Sequence, residues 1–237
     1  NNCRLLIVEH DGNGGFLVRD SFSRIVRLGE GLDRAGRLSD SAMERTIVAL
    51  RICASKIRRA SVGRIRCVAT EACRDAENGS EFIERVRKET GLSMEIIDGK
   101  TEAELAAIGC GSLFKAEAED IILFDIGGGS TEVSRSTRQE NGFFKLTDSA
   151  SLPLGVVRLA ERHAGEGPYE HGYEGMLAES KNRLEDFMDR QGDISDMSKV
   201  QIIGTSGTVT TLAAVQLGLA KYDRNVVDGC SISSRDI

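Results

Sequence analysis

Residues 121–136 read IILFDIGGGSTEVSRS. Ile121–Phe124 is a β-type apolar run that delivers Asp125 to a strand end, the glycines form a turn, and a second strand follows. Gly127, Gly128 and Gly129 can take φ > 0 and let backbone N–H groups approach an anion closely. Ser130 and Thr131 add hydroxyl donors. The flanking Asp125 and Glu132 matter because phosphate sites commonly use carboxylates to hold Mg²⁺ directly or through water. The plainer alternative is an ordinary glycine-rich hairpin turn.

A second glycine turn, IIGTSGT over residues 202–208, sets Gly204, Thr205, Ser206, Gly207 and Thr208 between an apolar strand and an alanine-rich helix. Unpaired N–H groups and the helix dipole favour an anion there. The alternative is a simple βα turn with Ser206 or Thr208 as the cap. Neither turn is followed by Gly-Lys-Ser/Thr and neither reads G-x-G-x-x-G, so P-loop and Rossmann readings fail.

Outward from these turns the chain alternates strands and helices. CRLLIVE, the turn HDGNGG and FLVRDSFSRIVRLG read as an antiparallel hairpin that begins abruptly at Asn1 and Asn2, as though a strand preceded it. Met43, Ile47, Leu50, Ala54 and Ile57 mark an amphipathic helix with Ser39 or Ser41 as N-cap. A strand at 65–70, a helix from about Ser80 to Thr90 stopped by Gly91, the strand MEIID and a helix from Thr101 to about Phe114 follow. This is an α/β pattern. The acidic segment KAEAED (Lys115–Asp120) suggests a boundary, giving lobes 1–117 and 118–237. The second half repeats the hairpin-then-helices order and stops where another helix is expected.

The 237 residues carry 37 acidic and 31 basic side chains, with a formal net charge of −6, so no global positive field draws in nucleic acid. No apolar run approaches the roughly 20 residues of a membrane span, and the first residues lack secretory-signal features. The expected setting is soluble and cytoplasmic. The six cysteines show no C-x-x-C pair and read as reduced, buried thiols. His10, His163 and His171 show no Ser or Cys partner pattern, which leaves a Ser-His or Cys-His hydrolase unsupported.

NNCRLL, ATEACRDAENG, DGKTEAEL, DIGGGSTE, LPLGVVRL and GTSGT, in this order, resemble the exopolyphosphatase and guanosine pentaphosphate phosphatase (Ppx/GppA) family. They span nearly the whole chain, and related sugar kinases, actin and Hsp70-type ATPases lack the ATEACRDA and TEAEL segments. The resemblance implies two ribonuclease-H-like (actin-like ATPase) lobes with an interdomain active-site cleft. It also implies Mg²⁺- or Mn²⁺-dependent release of terminal phosphate from inorganic polyphosphate or guanosine pentaphosphate.

Through that resemblance Glu102 corresponds to the catalytic base, Asp125 and Glu132 to the metal-binding acidic pair, and Arg74 to an arginine that contacts phosphate. Gly127–Ser130 with Gly204, Ser206, Gly207 and Thr208 are the implied phosphate cradle. Homodimerisation is a further expectation, without membrane or nucleic-acid partners. Asp98, Thr101 and Glu104 replace the family's commoner Ser, Glu and Arg, and Asp228 stands where a His is common. The alternatives are an ATP-dependent small-molecule kinase of the same superfold and a non-catalytic (p)ppGpp- or polyphosphate-binding sensor.

Overall fold

A computed structural model describes residues 1–12, 15–163, 169–192 and 196–233, with the side chains of 169–171 excepted. The chain is α/β and divides by packing into two compact units, Asn1–Asp98 and Gly99–Ile237. KAEAED, where the sequence reading places the lobe boundary, therefore lies within the second unit. It is the connection from a helix into that unit's central strand.

In the first unit β1 (Asn2–His10) and β2 (Phe16–Ile25) form the expected antiparallel hairpin, with a register shift between Ile7 and Val8. After α1 (Leu32–Ala35), α2 (Asp40–Arg59) begins at Ser39, whose hydroxyl accepts the Ala42 amide at 3.2 Å. Met43, Ile47, Leu50, Ala54 and Ile57 are all buried, as their spacing requires. The strand expected at 65–70 contracts to β3 (Val68–Ala69), because its only ladder partner is the equally short parallel β4 (Glu95–Ile96).

Between them lie α3 (Glu71–Asp75) and α4 (Gly79–Thr90), the latter ended by Gly91 at φ 75°. ATEACRDAENG is largely structural here. The buried Asn78 side chain accepts from the Leu38 amide at 2.8 Å and donates to its carbonyl at 3.0 Å. A Cβ on Gly79 would stand 1.9 Å from the Cys73 carbonyl oxygen, so no larger residue fits.

The second unit runs α5 (Gly99–Cys110), β5 (Asp120–Ile126), β6 (Thr131–Arg138), β7 (Phe144–Leu152), α6 (Val156–Arg162), α7 (Tyr169–Arg190), β8 (Val200–Thr205), α8 (Ser206–Gln216) and α9 (Arg224–Val227). Its four-stranded sheet has the order β7-β6-β5-β8, with β8 parallel to β5 and the other pairs antiparallel. The apolar run of β5 serves both faces of the sheet. Ile121 and Leu123 pack with Ile203 and with Ala106 and Cys110 of α5. Ile122 and Phe124 pack with Val133, Leu159, Leu184 and Phe187 on the other side.

At the far end of the β5–β6 pair, Arg135 forks onto Asp120 at 2.9 and 2.8 Å and donates to the Gln191 carbonyl at 2.9 Å. These bonds, with that from Thr137, hold the Asp120 carboxyl below its ordinary pKa. No helix among the described residues is long and apolar enough to cross a membrane.

Candidate active site

The strand register lines four polar residues across the sheet. Ser151 pairs with Glu132, Glu132 with Asp125, and Asp125 with Thr205, one residue from each of β7, β6, β5 and β8. Strand alternation puts Asp125 on the side of Ile121 and Leu123, the face that α5 covers. This rung closes the carboxyl ends of the parallel pair β5 and β8, where open α/β sheets bind ligands. Glu132 is only 3% exposed, and its Oε1 accepts the Ser130 hydroxyl at 2.7 Å and the Ser151 hydroxyl at 2.8 Å. Asp125 accepts from the Thr205 hydroxyl at 3.3 Å. The rung is thus an oxygen-rich row with fixed rotamers around two carboxylates.

The glycine turn between β5 and β6 is braced from behind. The amides of Val156, Val157 and Arg158, the first turn of α6, donate to the carbonyls of Gly127, Gly128 and Gly128 at 3.1, 2.9 and 3.1 Å. The carbonyls of Gly127 and Gly128 are thus engaged by α6. Two details depart from expectation. None of Gly127, Gly128 and Gly129 takes a left-handed φ; at Gly127 it is close backbone approach that favours glycine, since a Cβ would stand 3.0 Å from the Ser130 carbonyl oxygen. The Gly127 amide also bonds the Ser130 carbonyl at 2.9 Å, so Gly127 closes the turn. The hydroxyls stay inside the turn as well: Ser130 serves Glu132, and Thr131 donates to the Leu154 carbonyl.

The second glycine turn joins the first at one atom. Ser206 and Thr208 both donate their hydroxyls to the Ile126 carbonyl, at 2.7 and 3.2 Å. Ser206 sits at φ 75°, a left-handed strain that a non-glycine residue rarely carries and that clusters at functional loops. Thr205, the residue before α8, makes no side-chain cap, since its hydroxyl faces Asp125. The first amides of α8 therefore lack a hydroxyl cap, and around Gly207 the space is open. Gly204 has a packing reason instead: a Cβ would stand 2.6 Å from Phe124 and 2.7 Å from Val209.

Glu102 reaches the same end of the sheet from α5. Gly99, the first residue of that helix, rests on the rung, where a Cβ would stand 2.6 Å from the Ser151 Cβ. One turn on, Glu102 flanks the fully buried Ala103 on the sheet-facing stripe, and its Oε2 is buried. At the helix end the Cys110 thiol is pushed up by burial and then by the charges of Asp125 and Asp228, so α5 crosses above the rung. Asp228 itself is exposed and pairs with Arg224 at 3.7 Å.

Arg74 belongs to the other unit. Its guanidinium donates to the Ile97 carbonyl at 2.8 Å and lies 3.8 Å from Asp75. In this structure it buttresses the end of β4. Ser151 stands in the rung but lies outside the quoted motifs, and strand register reveals it.

The Ppx/GppA phosphatase family profile matches residues 6–229. The chain belongs to that family. Exopolyphosphatase 2 of Mycobacterium tuberculosis is 29% identical to this Ppx/GppA chain over 252 residues, covering all of it and 74% of the relative. The guanosine-5′-triphosphate,3′-diphosphate pyrophosphatase of Aeromonas hydrophila is 31% identical over 225 residues, covering 94% of this chain and 43% of the relative. The crystal structure of an exopolyphosphatase-like protein superposes with a TM-score of 0.86 at 33% identity, over 100% of this chain and 72% of that one. The chain spans as little as 36% of one curated relative it matches, a bifunctional 3-dehydroquinate synthase/phosphatase. The fold expected from the resemblance, α/β with ribonuclease-H-like units, is the one observed.

Proposed function

We propose that this chain carries a metal-dependent phosphoanhydride hydrolase centre that releases terminal phosphate from inorganic polyphosphate, guanosine pentaphosphate, or both. The single observation that carries this reading is the rung: Asp125 and Glu132 are direct cross-strand partners, set beside the braced glycine turn and below the helix bearing Glu102. Exopolyphosphatase and guanosine pentaphosphate phosphatase relatives support the substrate class.

Two carboxylates with surrounding hydroxyls form an all-oxygen donor set, which suits a hard divalent cation completed by water and phosphate oxygens; Mg²⁺ or Mn²⁺ is our assignment. Among the described residues no cluster of three or more His, Cys, Asp or Glu is placed to hold a metal ion, so the proposed ion would rest on Asp125 and Glu132 with substrate oxygens and water. When bound, the ion would neutralise phosphoryl charge. The protein's own part is positional and electrostatic. Amides of Gly128, Gly129 and Ser130, with those opening α8, hold the terminal phosphoryl oxygens. Glu102 orients the attacking water and accepts its proton as the new P–O bond forms and the P–O–P link breaks. Arg74 is assigned a phosphate contact by the family resemblance alone. The reduced cysteines agree with a cytoplasmic setting.

Phosphate release from long polyphosphate, tripolyphosphate, guanosine pentaphosphate and ATP, measured side by side with and without Mg²⁺, tests the assignment. Metal-dependent release without an added acceptor is expected. Release that requires an acceptor hydroxyl would replace the hydrolase with a kinase, and binding without turnover would leave a sensor.

A further inference from the structure

We infer that Cys3 and Cys53 form a peroxide-oxidisable thiol pair whose product is a disulfide joining β1 to α2. Their Sγ atoms lie 3.8 Å apart, across 50 residues of sequence. Both are buried in the first unit's core, Cys3 8% and Cys53 3% exposed. No other pair of sulfurs among the described residues is recorded in such contact. A disulfide needs about 2.05 Å between sulfurs, so from 3.8 Å the two must approach by about 1.8 Å.

The two thiols are chemically unequal. The two sulfurs share a hydrogen bond in which either can donate; with Cys3 donating, that bond lowers the Cys53 pKa, against burial and with help from the charges of Lys56 and Arg24. The same hydrogen bond and burial keep Cys3 protonated, pushing its pKa up. Cys67, near Cys53, is raised by burial, and Cys73 is pushed up to about 11 by the same cause. In that arrangement Cys53 is the nucleophile and Cys3 the resolving thiol.

The chemistry closes with hydrogen peroxide, an oxidant small enough for a buried site. The Cys53 thiolate attacks one peroxide oxygen, the O–O bond breaks, and hydroxide leaves and takes a proton to become water. Cys53 is then a sulfenic acid, oxidised by two electrons. The Cys3 sulfur attacks that sulfur, the S–O bond breaks, and the departing hydroxide leaves as water with the Cys3 proton. Two thiols and one peroxide give one disulfide and two waters.

The test uses the reduced full chain, exposed to hydrogen peroxide under native conditions, then denatured for thiol titration and peptide mass mapping. Free thiols are expected to fall from six to four, with one cross-linked peptide pair containing Cys3 and Cys53. The oxidised chain should also unfold at higher temperature than the reduced chain, because closing the intervening loop restricts the unfolded ensemble. A Cys67→Ser variant should form the same link. Six surviving thiols, a Cys53–Cys67 link, a dimer cross-linked through Cys53, or over-oxidised Cys53 without a link would each overturn the inference. The main readout is on the unmutated chain, so a variant that fails to fold does not blunt it.

Discussion

Gly155 and Gly128 meet backbone to backbone: a Cβ on Gly155 would stand 2.2 Å from both the carbonyl carbon and the carbonyl oxygen of Gly128. The obstacle is main chain, which cannot rotate away as a side-chain tip can. The contact seats the first turn of α6 on the glycine turn, and three α6 amides then fix that turn's carbonyls. The shape of the phosphate cradle is thus imposed by LPLGVVRL, a segment some thirty residues downstream that supplies none of the proposed ligands.

Gly155→Ala should therefore damage the cradle while leaving every proposed ligand in place. Overpacking of this kind costs about 1–3 kcal/mol, and an ångström-scale shift of the turn should lower phosphate release about 100-fold. Urea unfolding and steady-state assays on the same preparation check both. Activity within experimental error of the parent chain would show that the turn is not shaped from behind.

Ser151 positions Glu132 without belonging to the acidic pair. In Ser151→Ala one of the two hydroxyls on Glu132 Oε1 is lost. Because groups that orient a metal ligand typically contribute about 10–100-fold in metal affinity, the half-saturating Mg²⁺ concentration should rise by about 10-fold. The turnover at saturating metal should fall much less, and Ser151→Thr should restore part of the affinity. A Mg²⁺ titration that superposes on the parent would remove Ser151 from the site.

The motifs announce the elements of the site, whereas its assembly depends on contacts that no short segment encodes. IILF followed by Asp125 announces a central strand, and Ser39 and Gly91 bound their helices, because caps and periodicity are local. That Asp125 stands between Glu132 and Thr205 depends on strand register, which is set by long-range pairing. The hydroxyls of Ser130, Ser206 and Thr208 illustrate the same gap. Each is a credible phosphate donor in sequence, yet each is committed to Glu132 or to the Ile126 carbonyl, since donors near a strand end satisfy protein acceptors first. Gly204 likewise reads as part of an anion turn, but Phe124 and Val209 are what leave no room for a side chain there.

Acid should loosen the second unit through Asp120. Arg135 and Thr137 hold its folded pKa below the unfolded value, so its contribution is fully present above the unfolded pKa of about 3.9. It is lost as pH falls through the lower folded value. A hydrogen bond to a charged group contributes about 1.5–3 kcal/mol, and Asp120→Asn should lower stability near pH 7 by about that amount. The gap between the two proteins should then shrink below pH 4. Urea midpoints measured from pH 7 to pH 2.5 decide it, and a gap that stays constant with pH would assign the loss to packing.

Glu102 is the point at which binding and chemistry should separate. Its helix begins on Ser151, and its Oε2 is buried. Glu102→Gln keeps the shape and the packing of α5 but cannot take a proton from water. Loss of a general base costs about 10²–10⁴-fold in turnover, so phosphate release should drop by about that factor. The affinity for a non-hydrolysed polyphosphate, read by calorimetry in Mg²⁺, should stay near the parent value, because no phosphate contact is removed. The outcome distinguishes three roles. Lost turnover with retained binding identifies the base, and joint loss of both makes Glu102 a ligand. Unchanged release returns it to a helix residue that happens to be buried, and the nucleophilic water must then be held by Asp125 or Glu132.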